Sequence, residues 1–471
     1  MTALWTAYEA AAATGGRSHR DWSAKGVSID SRSVGAGDLF IALAGPKFDG
    51  HDFVADALKK GAAAALVARV PEGVAADAPL LVVADTMAGL EDLGRAARRR
   101  SSAAVIGVTG SVGKTGTKEA LKRALERQGP SFASAGSLNN QWGVPLSLAR
   151  MPRDTAYGIF EMGMNHPGEI AALSRIVRPD VAVITTIEPA HLGFFPSVEA
   201  IADAKAEIFL GMEPRGAAVL NRDNPHFARL AAAARAHGIS RILGFGSDAD
   251  AAVKLIDCHL YATASAVTAS VMGEIVDYCI AIPGRHWVMN SLAVLGAVKA
   301  VGGDVGAAAA ALSSLAALDG RGRRHGIAVA GGTAELIDES YNASPASMRA
   351  AFAVLAAAEP GKGGRRIAAL GDMLELGDDA RDLHAALAQP LVDARIDLVF
   401  TAGPQMQALH EALPKRMRGG HAPTAAALGD SLVRRLRPGD ILTVKGSHGS
   451  RMGDVVKRLL AGERVPDAVK G

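Results

Sequence analysis

Two cysteines in 471 residues, Cys258 and Cys279, are too few for a disulfide framework, and their spacing is not that of a metal-binding thiolate pair. Both are expected as buried, inert thiols in a reducing compartment. No run of about 18 apolar residues occurs, which excludes a membrane-spanning helix. The N-terminus, MTALWTAYEAAAATGGRSHRDW, lacks a basic segment ahead of an apolar stretch, so no secretory leader is expected and the location implied is cytoplasmic. Charge of one sign is also missing. With 51 basic and 48 acidic residues the net charge is +3, which demands no broad surface for nucleic acid. The run Arg98-Arg99-Arg100 is therefore expected as a solvated helix end.

What is present is apolar, glycine-rich and periodic. Hydrophobic residues make up 49% and there are 53 glycines, a composition suited to short turns between packed elements. At roughly 100 to 200 residues per domain the length implies two to four, and three is the number adopted. In the first hundred residues, VSID, DLFIAL and PLLVVA alternate with the helical patterns HDFVADALKKGAAAALV and TMAGLEDLGRAARRR, so a small α/β unit is expected over 1–100. From 103 the strands AAVIGVT, YGIFEMG and VAVITTI alternate with the helices KTGTKEALKRALERQ and SVEAIADAKAEIFLGM. Continuous apolar strands separated by helices predict a parallel sheet covered on both faces. This central unit, 101–320, runs through a β-rich stretch and the helix VMNSLAVLGAVKAVG to the glycine- and arginine-rich segment DGRGRRHG. Beyond it AELIDES, RRIAALGD, IDLVFTAG and DILTVKGS, with a helix from Ser347, predict an open Rossmann-like sheet over 321–471. The fold class expected is α/β in three domains.

Residues 107–121, GVTGSVGKTGTKEAL, carry the first chemistry. An apolar strand runs into Thr109-Gly110-Ser111-Val112-Gly113-Lys114-Thr115-Gly116 and then a helix, so backbone amides converge on one point and form an anion cradle. Lys114 suits phosphate charge and the Thr115 hydroxyl suits Mg²⁺. The common spacing G-x-x-x-x-G-K-[ST] would put glycine at 108, where the chain has Val108. Glu161 ends the strand YGIFE and His191 follows VAVITTI, both at the sheet edge where such folds bind ligands. Each also has a plain reading, as a capping carboxylate and a packed loop histidine. Lys205 falls on the apolar stripe of its helix with Ile201, Ile208 and Phe209. Burial there would favour a neutral, nucleophilic amine, unless the side chain reaches back to solvent.

The motifs TGSVGKT, EMG, AH, AKAEIF, GRHWVMN, GRG and DESYNASP occur in the order seen in the Mur ligases, and the chain resembles that family over nearly its whole length. These are ATP-dependent amide-forming enzymes of peptidoglycan synthesis, and the family's loop is a compact TG-[ST]-x-GK-[ST], so the resemblance accounts for Val108. Within the family, DSRSVGAGDLFIALAGPKFDGHDF, SLNNQWGVPLSL, ALGDMLELG and VKGSHGSRM resemble the branch expected to act on UDP-N-acetylmuramoyl-tripeptide and D-alanyl-D-alanine. The resemblance implies ATP and Mg²⁺ as cofactors, an acyl phosphate intermediate, no nucleic-acid partner and a monomer. It also implies that Lys205 is carbamylated and shares a metal environment with Glu161, His191 and Thr115, with Lys114, His191 and Lys205 being catalytic. Ser31, Arg32, Asp49 and His51 would hold the UDP end in the first domain, and Asn139 and Asn140 the muramoyl part. Asn290 would lie by adenine, Asp338 by ribose, and Arg321 or Arg323 by phosphate. Asn342, Lys445 and Ser447 would bind substrate from the third domain, pivoting near Gly320-Gly322. Two departures stand out, Trp287 where the family often has asparagine and Ser344 in place of the second asparagine of YNANP.

Overall fold

The computed structural model describes residues 3–45, 48–75, 77–189 and 192–462. Three larger sheets organise the chain. The N-terminal sheet has five strands in the order Arg17–Ser18, Leu80–Val82, Ala64–Val67, Asp38–Ile41 and Gly26–Ser28, parallel except for the first. Its two-residue and three-residue edge strands present little unpaired backbone.

The first unit is tied to the next by specific contacts. Helix Thr86–Arg100 lies against helix Gly143–Arg150, and Gly94 permits the approach, since a Cβ there would come within 3.1 Å of the Pro145 carbonyl. Trp5 Nε1 donates to the Ala149 carbonyl at 2.9 Å. Of the arginine run expected in solvent, Arg99 is exposed, whereas Arg98 and Arg100 are used in this contact. Arg98 donates to the Val177 and Arg178 carbonyls and pairs with Asp180 at 3.1 Å, satisfying the C-terminus of helix Glu169–Val177. The Arg100 guanidinium lies 4.0 Å over the Trp5 ring. Tertiary partners invisible in the local pattern overrode the solvated reading.

The central sheet has nine strands. Its parallel part runs Ser131–Ala133, Tyr157–Glu161, Ala104–Thr109, Val181–Ile184, Ala217–Asn221 and Arg241–Gly246. Val253–Leu260 continues it in parallel, followed by the antiparallel strands Ser265–Val271 and Glu274–Ile280. Val105, Ile106 and Val108 are fully buried because helices cover both faces, which is why the strand reads as an unbroken apolar run. Cys258 lies on Val253–Leu260 and Cys279 on Glu274–Ile280, half-buried and exposed respectively, both free. The expectation that they are buried thiols is wrong: this part of the sheet has one solvated face, and alternate positions point outward.

The C-terminal sheet runs Arg323–Val329, Gly332–Glu339, Ile441–Lys445, Arg366–Gly371, Leu398–Ala402 and Arg418–Ala422, parallel after the first hairpin. Chain order reverses where the last strand inserts beside Gly332–Glu339. The C-terminal ends of Gly332–Glu339 and Ile441–Lys445 therefore form a switch point, as do those of Ala104–Thr109 and its neighbours in the central sheet. Among the described residues no helix is long and apolar enough to cross a membrane.

Candidate active site

Parallel register brings the strand ends of the central sheet together. Val108 pairs with Glu161 and Thr109 with Ile184, so the phosphate loop, Glu161 and the loop after Ile184 open on one edge. Val108 lies inside the strand, and the tight turn starts at Gly110. Gly110 has φ 143° and Gly113 φ 87°, and a Cβ on Gly110 would overlap the Thr185 hydroxyl. That hydroxyl donates to the Val112 carbonyl at 2.5 Å and fixes the turn. The Lys114 ammonium donates to the Gly110 carbonyl at 2.7 Å, closing the loop on itself. Burial lowers the Lys114 pKa, the Glu161 carboxylate opposes that shift, and Arg321 reinforces it.

Thr115 Oγ1 donates to Glu161 Oε2 at 2.8 Å, and Asn139 Nδ2 donates to Glu161 Oε1 at 2.7 Å. The carboxylate is 1% exposed, so both partners fix its direction. The segment leading to Asn139 is held in turn by a lysine that motif reading passed over. Lys118 is fully buried in helix Lys114–Leu125, and its ammonium donates to the Ser134 and Gly136 carbonyls at 2.6 and 2.7 Å. It shares its face with Leu121 and Leu125, so the stripe argument that singles out Lys205 would have found it.

Lys205 lies in the last turn of helix Val198–Ala206, 2% exposed among apolar side chains including Ile201, Ile208 and Phe209. Burial drives its pKa well below the ordinary value, and the Lys114 charge adds to the effect. The side chain does not reach solvent.

A cavity of about 720 Å³ separates this edge from the C-terminal sheet. From the central unit it is lined by Ser111, Val112, Gly113, Lys114, Thr115, Gly116, Asn139, Glu161 and Asn290, and from the other side by Arg321, Asn342, Lys445 and Ser447. Asn290 sits against the loop, where a Cβ on Gly113 would meet its Oδ1 at 2.9 Å. Trp287 packs on Gly116 in the same way, at 2.8 Å. Arg321 lies 4.0 Å over the Tyr341 ring, whereas Arg323 pairs with Asp319 and does not line the cavity. Lys445 Nζ bonds Glu339 at 3.2 Å and the Asn342 carbonyl at 3.0 Å. Ser447 Oγ accepts from the Leu374 amide at 2.9 Å.

Other expected residues are placed elsewhere. Thr109 and Gly110 do not line the cavity, nor does Asn140, whose side chain accepts from the Gly143 amide at 2.9 Å. Asp338 does not line the cavity: its carboxylate accepts from the Gly320 amide at 2.9 Å and the Ser340 amide at 3.0 Å, so it braces the turn at Gly320. In the N-terminal unit the Ser31 carbonyl accepts from Lys60, and Arg32 forks onto Asp30, holding that carboxyl down at about 2. Asp49 is kept well below the usual carboxylate range, chiefly by Arg69. His51 Nε2 accepts from the Ala68 amide, so its Nδ1–H donates to Asp49 and the ring has no free nitrogen. None of these four lines the cavity. His191 lies outside the described residues.

Three family models match the chain: "Mur ligase family, catalytic domain" over 23–99, "Mur ligase middle domain" over 108–298, and "Mur ligase, glutamate ligase domain" over 322–448. The chain belongs to the Mur ligase family. It is 34% identical over 430 residues to the UDP-N-acetylmuramoyl-tripeptide–D-alanyl-D-alanine ligase of Rickettsia prowazekii, covering 91% of this chain and 94% of that one. Among solved structures it is similar to MurF of Acinetobacter baumannii, with TM-score 0.84, 31% identity and coverage of 97% and 99%. MurF ligase of Thermotoga maritima in complex with ADP matches with TM-score 0.77, 27% identity and coverage of 93% and 97%.

Proposed function

We propose that this protein is an ATP-dependent ligase that joins D-alanyl-D-alanine to UDP-N-acetylmuramoyl-tripeptide, releasing ADP and phosphate, in the synthesis of a peptidoglycan precursor. The observation that carries the reading is the cavity, in which a phosphate loop with Lys114 and Thr115 faces the Lys445 and Ser447 edge of a second sheet. The relatives' printed names supply the substrates. The proposed division of labour is UDP binding by 1–100, ATP binding by 101–320 and D-alanyl-D-alanine binding by 321–471, in a cytoplasmic monomer.

A carboxylate and an amine do not condense in water, so the terminal carboxylate of the tripeptide is activated first. It attacks the γ-phosphate in line and gives an acyl phosphate, and the amine then displaces phosphate from the carbonyl. The amides at the start of helix Lys114–Leu125 bind phosphate oxygens, and Lys114 moves from the Gly110 carbonyl onto the transferring group. Mg²⁺, when bound, offsets phosphate charge and polarises the reacting oxygens. The Thr115 hydroxyl and the buried Glu161 carboxylate are oxygen donors that fit this hard cation. A neutral Lys205 amine fits capture of CO₂ as a carbamate, which would add a third oxygen donor, and His191 is the remaining proposed ligand. Asn139 orients Glu161, and Arg321 and Asn290 border the nucleotide.

The test is product formation from purified protein. Amide product should appear only when ATP, the tripeptide nucleotide and D-alanyl-D-alanine are all present. ATP hydrolysis at an unchanged rate without the other two, with no amide formed, would reject the ligase in favour of a nucleotide-driven switch. Parallel assays with diaminopimelate and lysine at the third peptide position decide which peptide is used.

A further inference from the structure

Four glutamates line the cavity: Glu161, Glu188, Glu339 and Glu375. Three are engaged. Glu161 is held by Thr115 and Asn139, Glu339 by Lys445, and Glu375 has a partner of its own. The Glu188 carboxylate makes no hydrogen bond or ion pair among the described residues, although its backbone is fixed. The Ser111 hydroxyl of the phosphate loop accepts from the Glu188 amide and donates to the Glu188 carbonyl, both at 3.0 Å. A half-buried, unpartnered anion is thus held beside the phosphate loop, where an acyl phosphate would form.

An anion beside bound phosphates is electrostatically unfavourable unless a cation lies between them. The ligase reaction brings one, the ammonium of the incoming dipeptide, which must enter near the activated carbonyl and lose a proton before it can attack. We infer that Glu188 docks this ammonium and accepts its first proton, an assignment that rests on the ligase reading above. The ammonium donates to the Glu188 carboxylate, and one proton passes to it. The freed nitrogen lone pair forms the N–C bond. The C–O bond to phosphate then breaks, its electron pair leaving with phosphate, and the second nitrogen proton leaves with phosphate or water. No further reactant is required.

Burial raises the Glu188 pKa, which makes the carboxylate a better proton acceptor, while Arg349 and His226 oppose the rise. Arg349 faces it from helix Pro345–Ala357, His226 from the segment before helix Phe227–Ala236, and Lys114 lies on the same cavity wall.

The test is Glu188→Gln, which keeps shape and removes charge, measured by steady-state kinetics with each substrate varied. Loss of one charge-assisted hydrogen bond should raise KM for D-alanyl-D-alanine about 10- to 100-fold. KM for ATP should not rise, because the charge removed opposes bound phosphate, and KM for the tripeptide nucleotide should change by less than about twofold. An unchanged dipeptide KM, or equal shifts in all three, would overturn the inference while leaving the ligase reading intact. Absence of amide product from the wild-type protein would instead overturn the ligase reading.

Discussion

Lys205 is the residue at which stability and proposed chemistry oppose one another most directly. Its pKa is depressed by burial from an ordinary 10.5, so the folded protein binds fewer protons than the unfolded chain between the depressed value and 10.5. Stability therefore rises with pH through that window, and below it the buried ammonium is a burden. Lys205→Met, which fills the space without charge, should raise the urea midpoint at pH 7 in CO₂-free buffer, with the gain shrinking as pH approaches 10.5. The same variant should lose amide-forming activity by about a hundredfold or more if a metal-binding group is removed, and bicarbonate should not restore it. Full activity would reject the carbamate assignment. Lys118 differs because its ammonium has partners. Lys118→Met leaves the buried Ser134 carbonyl without its donor and frees that of Gly136, which should cost about 1–3 kcal/mol in denaturant unfolding. The loop carrying Asn139 should loosen with it, lowering kcat more than it changes nucleotide affinity.

At the scale of elements, Ser344 stands where the family often has asparagine and fills a helix-capping role open to either residue. It is the N-cap of helix Pro345–Ala357 and forms a reciprocal capping box with Ser347, ahead of proline at the first helical position. Ala346, Ser347 and Ala350 in its first turns line the cavity, so the cap sets one wall of the site. Ser344→Ala should cost about 1 kcal/mol in unfolding free energy, and Ser344→Asn only a few tenths, since asparagine caps comparably. A loss of similar size in both would show that the cap is not what matters. Strands such as Ala104–Thr109 and Val181–Ile184 were legible because burial on both faces makes them continuously apolar. The phosphate loop was legible because its glycines answer to backbone geometry. What the chain did not reveal depended on partners distant in sequence. Arg98 caps a helix that ends near residue 177, Asp338 braces the turn at Gly320 instead of facing a ligand, and His51 spends both ring nitrogens on Asp49 and Ala68. Residue type and spacing alone do not distinguish a polar group that serves the site from one that serves the scaffold.

At the scale of the whole molecule, substrates proposed for three units require the C-terminal unit to move, and the structure constrains where it bends. Gly320 and Gly322 have φ 72° and 93°, but the turn they make is braced. The Asp338 carboxylate takes the Gly320 amide, the Gly322 amide bonds the Asp338 carbonyl at 2.8 Å, and Arg321 stacks on Tyr341. Such a turn should travel with the C-terminal sheet, which puts the bend between helix Val305–Leu312 and Leu318. The glycines then serve a fixed conformation, not a flexible one. Gly320→Ala forces a non-glycine residue to positive φ and sets a Cβ 2.9 Å from Tyr341 Cβ, at a cost of about 1–2 kcal/mol. It should displace Arg321 from the cavity and weaken nucleotide binding. Small-angle scattering should show both the wild-type protein and the variant contracting with a non-hydrolysable ATP analogue and the tripeptide nucleotide at saturating concentrations. Contraction lost in Gly320→Ala but kept in the wild type would put the pivot in the turn itself.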